Sequence, residues 1–191
     1  VFLIDALIWF IAVEFLSFIY LPVAYLLFKN LPDMGYAFGK VLSILLISFI
    51  LWFLSSIHVL PNTRWAIILI IVLHILCSCI LFRHRRSEIK EYIVKNRGVI
   101  VTTELIFIAA FVMCAVVRSY NPEIANTEKP MDFAFLNAIM RADYFPPQDP
   151  WLSGFSINNY YFGHMMMATL TKFTGVSTAV SFNLSLALIF A

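Results

Sequence analysis

The sequence predicts an all-α fold: a polytopic transmembrane helix bundle with about five spanning helices and a long extracytoplasmic loop containing an interfacial helix. Composition is the first reason. Of 191 residues, 62% are hydrophobic and 13% charged, where a soluble domain carries about 45–50% and about 25%. The second reason is segmentation, since apolar runs of spanning length alternate with polar joints. The third is the charge arrangement, which gathers basic residues on one side. Together these exclude a nucleic-acid binder, a disordered tail and a disulfide-rich secreted module.

The first span covers residues 2–28 and is interrupted only by Asp5, Glu14 and Pro22. The second covers 41–60 and is closed by Pro61-Asn62, the third 65–82 and the fourth 98–117. A fifth starts near Tyr160 or Val176 and is not completed by Ala191. Both ends lie in apolar runs and read as cut from a longer protein. The predicted organisation is therefore N-terminal membrane helices over 1–117, a loop over 118–164, and the start of a further membrane helix over 165–191.

Orientation follows from basic residues in short loops. Segment 83–97 holds Arg83, Arg85, Arg86, Lys90, Lys95 and Arg97 against Glu88 and Glu91, so it is expected to face the cytoplasm. Alternation places the joint from Lys29 to Lys40 on the same side. Residues 61–64 and the loop 118–164 then lie outside. The expected location is the cell membrane, crossed several times. Cys77, Cys79 and Cys114 fall inside apolar runs and read as core or lipid-facing residues. Asp5 and Glu14, nine apart, point to opposite sides of their helix. Glu14 is deep and needs a partner, with His58, His74 and Tyr20 as candidates, while Glu104 lies within reach of Arg97. These acids read mainly as polar contacts between helices.

The loop differs from everything around it. A segment this long outside regular structure is functional or disordered. Phe133, Phe135, Leu136, Tyr144, Phe145, Trp151, Phe155, Tyr160, Tyr161 and Phe162 make it too apolar for disorder. Thr127-Glu128-Lys129-Pro130 reads as a helix start, a capping hydroxyl followed by an acid and a proline. From about Pro130 to Arg141, Phe135, Leu136, Ile139 and Met140 share one apolar face, as in an interfacial helix. Tyr144-Phe145-Pro146-Pro147 stops it, and Gln148-Asp149-Pro150-Trp151 signals a turn. Tyr160 and Tyr161 are expected at headgroup level.

These words of sequence carry a resemblance. Asn121-Pro122-Glu123-Ile124, the run from Glu128 to Asn137, Phe145-Pro146-Pro147-Gln148-Asp149-Pro150-Trp151 and Ile157-Asn158-Asn159-Tyr160-Tyr161-Phe162-Gly163 resemble the YYY-motif membrane proteins, a largely uncharacterised prokaryotic family. Leu31-Pro32-Asp33 and Leu60-Pro61-Asn62-Thr63-Arg64 resemble it too. The third aromatic of the name motif is Asn159 here. That family in turn resembles the GT-C superfamily of polytopic glycosyltransferases, which take a sugar from a polyprenyl-phosphate carrier and place acids in the first large extracytoplasmic loop. The resemblance implies a membrane glycosyltransferase with 118–163 as that loop.

Such a transfer needs a base for the acceptor proton, cations for the departing phosphate, and a site at headgroup level. Glu128 and Asp132 are the candidate bases, four apart and able to share one helix face. Glu128 ranks first because its distance to the Asp143-Tyr144-Phe145-Pro146 turn resembles the spacing in GT-C loops. Capping and pairing with the helix dipole is the plainer role for both. Arg118, Lys129 and Arg141 are candidate phosphate ligands, with interfacial anchoring as the alternative for Arg118. Asn158, Tyr160, Tyr161 and His164 complete the candidate substrate contacts. Asp143 and Asp149 are candidate ligands for a divalent cation, Mg or Mn, with turn formation as the alternative for Asp149. The expected partners are the lipid bilayer, a polyprenyl-phosphate sugar and an acceptor, and no nucleic acid. A transporter, motivated by Glu14, Glu104, His58 and His74 inside spans, and a non-catalytic scaffold are the rival readings. Unbroken second to fourth spans weigh against the transporter.

Overall fold

The computed structural model describes residues 2–31, 33–158 and 160–191. Among them the fold is helical throughout: α1 (Phe2–Phe28), α2 (Gly39–Ser56), α3 (Arg64–His84), α4 (Arg86–Lys95), α5 (Arg97–Tyr120), α6 (Lys129–Arg141), α7 (Phe162–Thr174) and α8 (Thr178–Phe190). Four of these, α1, α2, α3 and α5, are long and apolar enough to cross a membrane. The polytopic helical bundle expected from the composition is what forms.

Each span is apolar all round, yet buries only one stripe. In α1, Trp9, Val13, Leu16, Tyr20 and Ala24 are buried at helical spacing, whereas Leu3, Leu7, Ile11 and Phe18 on the other side are exposed. The same holds for Ile44, Ile47 and Leu51 of α2 and for Ile67, Ile70 and Ile71 of α3. A helix hydrophobic on every face, but packed on one, presents the remainder to lipid. The α1 stripe packs on α2 and α3, and α5 packs chiefly on α8. Cys77 and Cys79 are exposed on α3 and Cys114 is half-buried, all as free thiols.

Local chemistry sets the element ends. Thr63 Oγ1 accepts from the Ala66 amide at 3.3 Å and caps α3, as a hydroxyl at an N-cap should. Between α1 and α2, Gly35 has φ +81°, and a Cβ there would lie 2.5 Å from Phe28 Cβ, so the turn admits only glycine without rearrangement. The start of α6 departs from expectation. Its N-cap is Glu128 with no side-chain cap, and Thr127 takes a left-handed φ of 52° instead of capping. Pro130 in the first turn starts the helix without help from that hydroxyl.

The expected fifth span is replaced by two short helices. Gly175, at φ +77°, ends α7 in the left-handed C-cap, its amide bonded to Thr171 O at 2.9 Å, and α8 begins three residues later at Thr178. Thr171 Oγ1 and Ser181 Oγ, 3.0 Å apart, hold the pair together across the turn. α7 lies on α6 and on the spans α1, α2 and α3, while α8 reaches α5. The pair thus joins the surface loop to the bundle.

Two polar joints tie the assembly. The first lies within the spans. Lys40 Nζ donates to Glu14 Oε2 and to Glu104 Oε1, each at 2.8 Å. Tyr36 OH donates to the same Glu104 oxygen at 2.7 Å, and the ammonium sits 4.6 Å from the Phe107 ring centre. Lys40 itself is 6% exposed. It is therefore the partner of Glu14, in place of His58, His74 or Tyr20, and of Glu104, in place of Arg97. His74 instead bonds Ile70 O and stacks on Tyr20, and His58 stacks on Tyr144. The geometric reason is that Lys40 opens α2 beneath both carboxylates, where a buried acid finds a cation at low cost.

The second joint is Asn62, 3% exposed in the α2–α3 turn. Its Nδ2 donates to Ile139 O and Ala142 O, both at 2.9 Å, and its amide donates to Asp143 O at 2.7 Å. Its own carbonyl accepts from Lys172 of α7. One side chain thus satisfies carbonyls at the C-terminus of α6 that have no helical donor. Asn62→Ala leaves buried acceptors unpaired, at about 1–3 kcal/mol each. A lowered melting temperature of the purified protein in detergent is the expected result, with α6 losing protection from amide exchange first.

Candidate functional site

The side of α6 that meets α7 brings Asp132 and His164 together. Asp132 lies in the first turn of α6 and His164 in the first turn of α7, and Asp132 Oδ1 is 3.2 Å from His164 Nε2. Both side chains are mostly covered, Asp132 being 34% and His164 20% exposed. The Phe135 ring meets the imidazole edge-on at 5.6 Å and Trp151 at 5.8 Å, which fixes the imidazole in place. His164 Nδ1 is buried with no hydrogen-bond partner. A neutral imidazole that donates a hydrogen bond from Nε2–H to Asp132 carries its lone pair on Nδ1.

The pair borders a cleft of about 340 Å³. Its remaining walls are Leu136, Tyr160, Gly163, Met167, Phe182, Ser185, Leu186 and Ile189. A carboxylate and an imidazole therefore stand at the edge of an apolar slot, supplied by α6, α7 and α8. Asp132 can accept a proton there, with His164 orienting it and sharing its charge. Tyr160 separates this cleft from an aromatic one formed with Phe49, Trp52, Tyr161 and Phe162. There Trp52 Nε1 donates to Tyr161 OH at 2.8 Å, and Phe145 stacks on Tyr161.

The other sequence candidates separate into groups. Glu128 is exposed at the N-cap of α6 and lines none of these clefts. Lys129 is half-buried, three residues before Asp132, hence on the same side of the helix. Arg118 is held by Asn183 of α8, through Nε at 2.8 Å and Nη2 at 2.5 Å to Oδ1, and by Glu123 O at 3.2 Å. It does not line the cleft, and holds α8 at Asn183, the residue after the wall residue Phe182. Asn158 is exposed, and Asn159 of the family motif lies outside the described residues. Arg141, Asp143 and Asp149 share a third cleft, of about 390 Å³, with Tyr144, Pro146 and Gln148. Nine residues carry the α6 helix half a turn round and about 13 Å along, so Arg141 and Asp132 serve opposite sides.

Asp149 Oδ1 accepts the Trp151 and Leu152 amides at 2.8 and 3.0 Å, the turn role expected of an aspartate before proline. Among the described residues no three His, Cys, Asp or Glu side chains gather as a metal-binding group. Two carboxylates suffice for Mg²⁺ only where waters and substrate oxygens complete the shell. Lys172 reaches from α7 to Asn62 O. Burial pulls its ammonium down to about 8, against a smaller upward pull from the Asp143 carboxylate.

Sequence reasoning missed Asn62 and the pairing of Asp132 with His164. Asn62 carried only a turn signal, and the pair lies 32 residues apart on two helices. Both contain residues whose chemistry was visible and whose proximity was not.

A family model described as an uncharacterized membrane protein, DUF2298, matches residues 46–191. No curated protein matches the chain, and no solved structure does.

Proposed function

The chain belongs to the DUF2298 family of uncharacterised membrane proteins, and from that premise we propose a membrane-embedded transferase that moves a sugar from a polyprenyl-phosphate carrier to an acceptor hydroxyl. The observation that carries the proposal is the Asp132–His164 pair at the rim of a cleft with otherwise largely apolar walls. A substrate with a polar head and a hydrocarbon tail matches that combination, and the resemblance to GT-C enzymes supports it. In this scheme Asp132 takes the proton of the acceptor hydroxyl as its oxygen bonds to the anomeric carbon. The bond from that carbon to the phosphate oxygen breaks, and the polyprenyl phosphate leaves with the electron pair. Lys129, on the same helix side as Asp132, and the N-terminus of α6 favour the charge that develops on the phosphate. Arg118 positions α8 and hence the cleft wall, and Tyr160, Tyr161 and Asn158 border the approach. We place any divalent cation at Asp143 and Asp149, and no step proposed here depends on it.

The test is direct. Full-length protein incubated with polyprenyl-phosphate sugars and candidate hydroxyl acceptors should yield glycosylated product by mass spectrometry. Absence of transfer with every donor, alongside uptake of a solute into vesicles, would favour the transporter to which the Lys40 cluster lends support. The scheme also requires α6 on the extracytoplasmic side. In a cysteine-free background, Cys introduced at Asn126 should react with a membrane-impermeant reagent in intact cells, and Cys introduced at Ser87 should not. The reverse pattern overturns the assignment.

A further inference from the structure

α4 bridges α3 and α5 at the end of the bundle opposite α6. Single residues, Arg85 and Asn96, join it to each span. A helix of ten residues is about 15 Å long, and with joints this short it must lie along the bilayer surface, within the headgroup layer. Its inward side is settled by contacts. Ile89 and Tyr92 are buried, Tyr92 OH donates to Asp33 O at 2.5 Å, and the Tyr92 ring lies 5.9 Å from Tyr25. Glu88 stays on this side as well, accepting from Tyr25 OH at 3.3 Å and pairing with Arg85 at 2.9 Å.

At 100° per residue, these contacts put Ser87, Lys90 and Val94 on the outward face, with Arg86 and Glu91 at its two edges and Ile93 beyond Arg86. All six are exposed, Val94 to 70%. Arg83 and Arg97, also exposed, continue the cations past both helix ends. Glu88 is neutralised by Arg85 on the protein side, which leaves Glu91 set against the exposed Arg83, Arg86, Lys90 and Arg97. The cations outnumber it, and Val94 turns away from the protein beside Lys90. Aliphatics that enter the edge of the hydrocarbon, under cations that reach upward, are the pattern of a helix bound to an acidic membrane surface. We propose that the outward face of α4 binds the headgroups of acidic phospholipids in the leaflet on which it lies. A zwitterionic lipid offers the same phosphate but cancels its charge with its own amine, so the preference is for the net anion. This inference does not depend on the transferase reading.

The experiment uses the full chain in nanodiscs containing equal phosphatidylglycerol and phosphatidylcholine, with retained lipid identified by native mass spectrometry. Phosphatidylglycerol should be retained preferentially. Each cation near a charged surface contributes about fivefold, so R86Q/K90Q should lower the preference by roughly 25-fold while the melting temperature holds. K29Q/K95Q, with the same net charge and its changes off this face, should leave the preference close to that of the natural chain. Equal retention of both lipids by the natural chain overturns the proposal. So does an unchanged preference in R86Q/K90Q, or an equal loss in K29Q/K95Q, which would make the effect one of net charge alone.

Discussion

Asp132→Asn is expected to lower sugar transfer by about 10²–10⁴-fold, the usual worth of general-base help. Its effect on stability should be small, because an acid in the first turn of a helix contributes about 0.3–1 kcal/mol through the dipole. The asparagine keeps the shape of the side chain and can still accept a hydrogen bond from His164 Nε2, so a loss of turnover at unchanged melting temperature isolates the proton transfer. His164→Gln should cost less, since it removes the orienting partner and leaves the carboxylate. Glu128→Gln is the informative comparison. The spacing of sequence motifs ranks Glu128 first, but the residue is exposed at the N-cap while Asp132 faces the cleft. Full activity in Glu128→Gln, measured beside the loss in Asp132→Asn, assigns the base to Asp132. The opposite result returns it to Glu128.

Lys40→Met should be the most damaging single substitution for stability. It leaves Glu14 and Glu104 facing each other within the spans, and breaking a buried ion pair by removing one partner costs about 3–5 kcal/mol. Aggregation on solubilisation, or a melting temperature far below that of the natural chain, is the expected result. The triple substitution Lys40→Met, Glu14→Gln and Glu104→Gln should recover much of the loss. A buried triad exchanged as a whole for neutral groups is often neutral in stability, or better. Failure of the triple variant to improve on the single one would mean that the charge itself has a use beyond packing.

The parts of this molecule that sequence disclosed are those set by local composition. The four spans are legible because each is a long apolar run, and their ends follow Pro61-Asn62, Arg64 and the basic 83–97 stretch. Helix α6 is legible from its apolar face and its stop at Tyr144-Phe145-Pro146-Pro147, and that face packs on α7 and α8. The break at Gly175 was harder, because the apolar character of Val176 to Ala191 argued for continuation, and only a left-handed glycine ends the helix there. Pairings across the fold were not legible at all. Lys40 looked like a loop cation, and nothing local marks it as lying between two acids 26 residues before it and 64 after it. Likewise Glu128 and Asp132 differ little as letters in a helix start. Only the arrival of α7 makes one of them the neighbour of a histidine.

The bonds of Asn62 bear on the order in which the protein is made. A chain grows from its N-terminus at about 5–20 residues per second, so the α2–α3 turn leaves the ribosome well before Ile139, Ala142 and Lys172 exist. For several seconds the Asn62 side-chain amide has only water oxygens at the membrane surface to meet. When α6 emerges it finds a receptor already fixed at the end of two inserted helices, and Lys172 arrives last to close the same residue from the other side. The cleft around Asp132 is therefore the final structure to form within this stretch of chain. An insertion in the turn ahead of Asn62 would leave the spans in place and strand everything built after them.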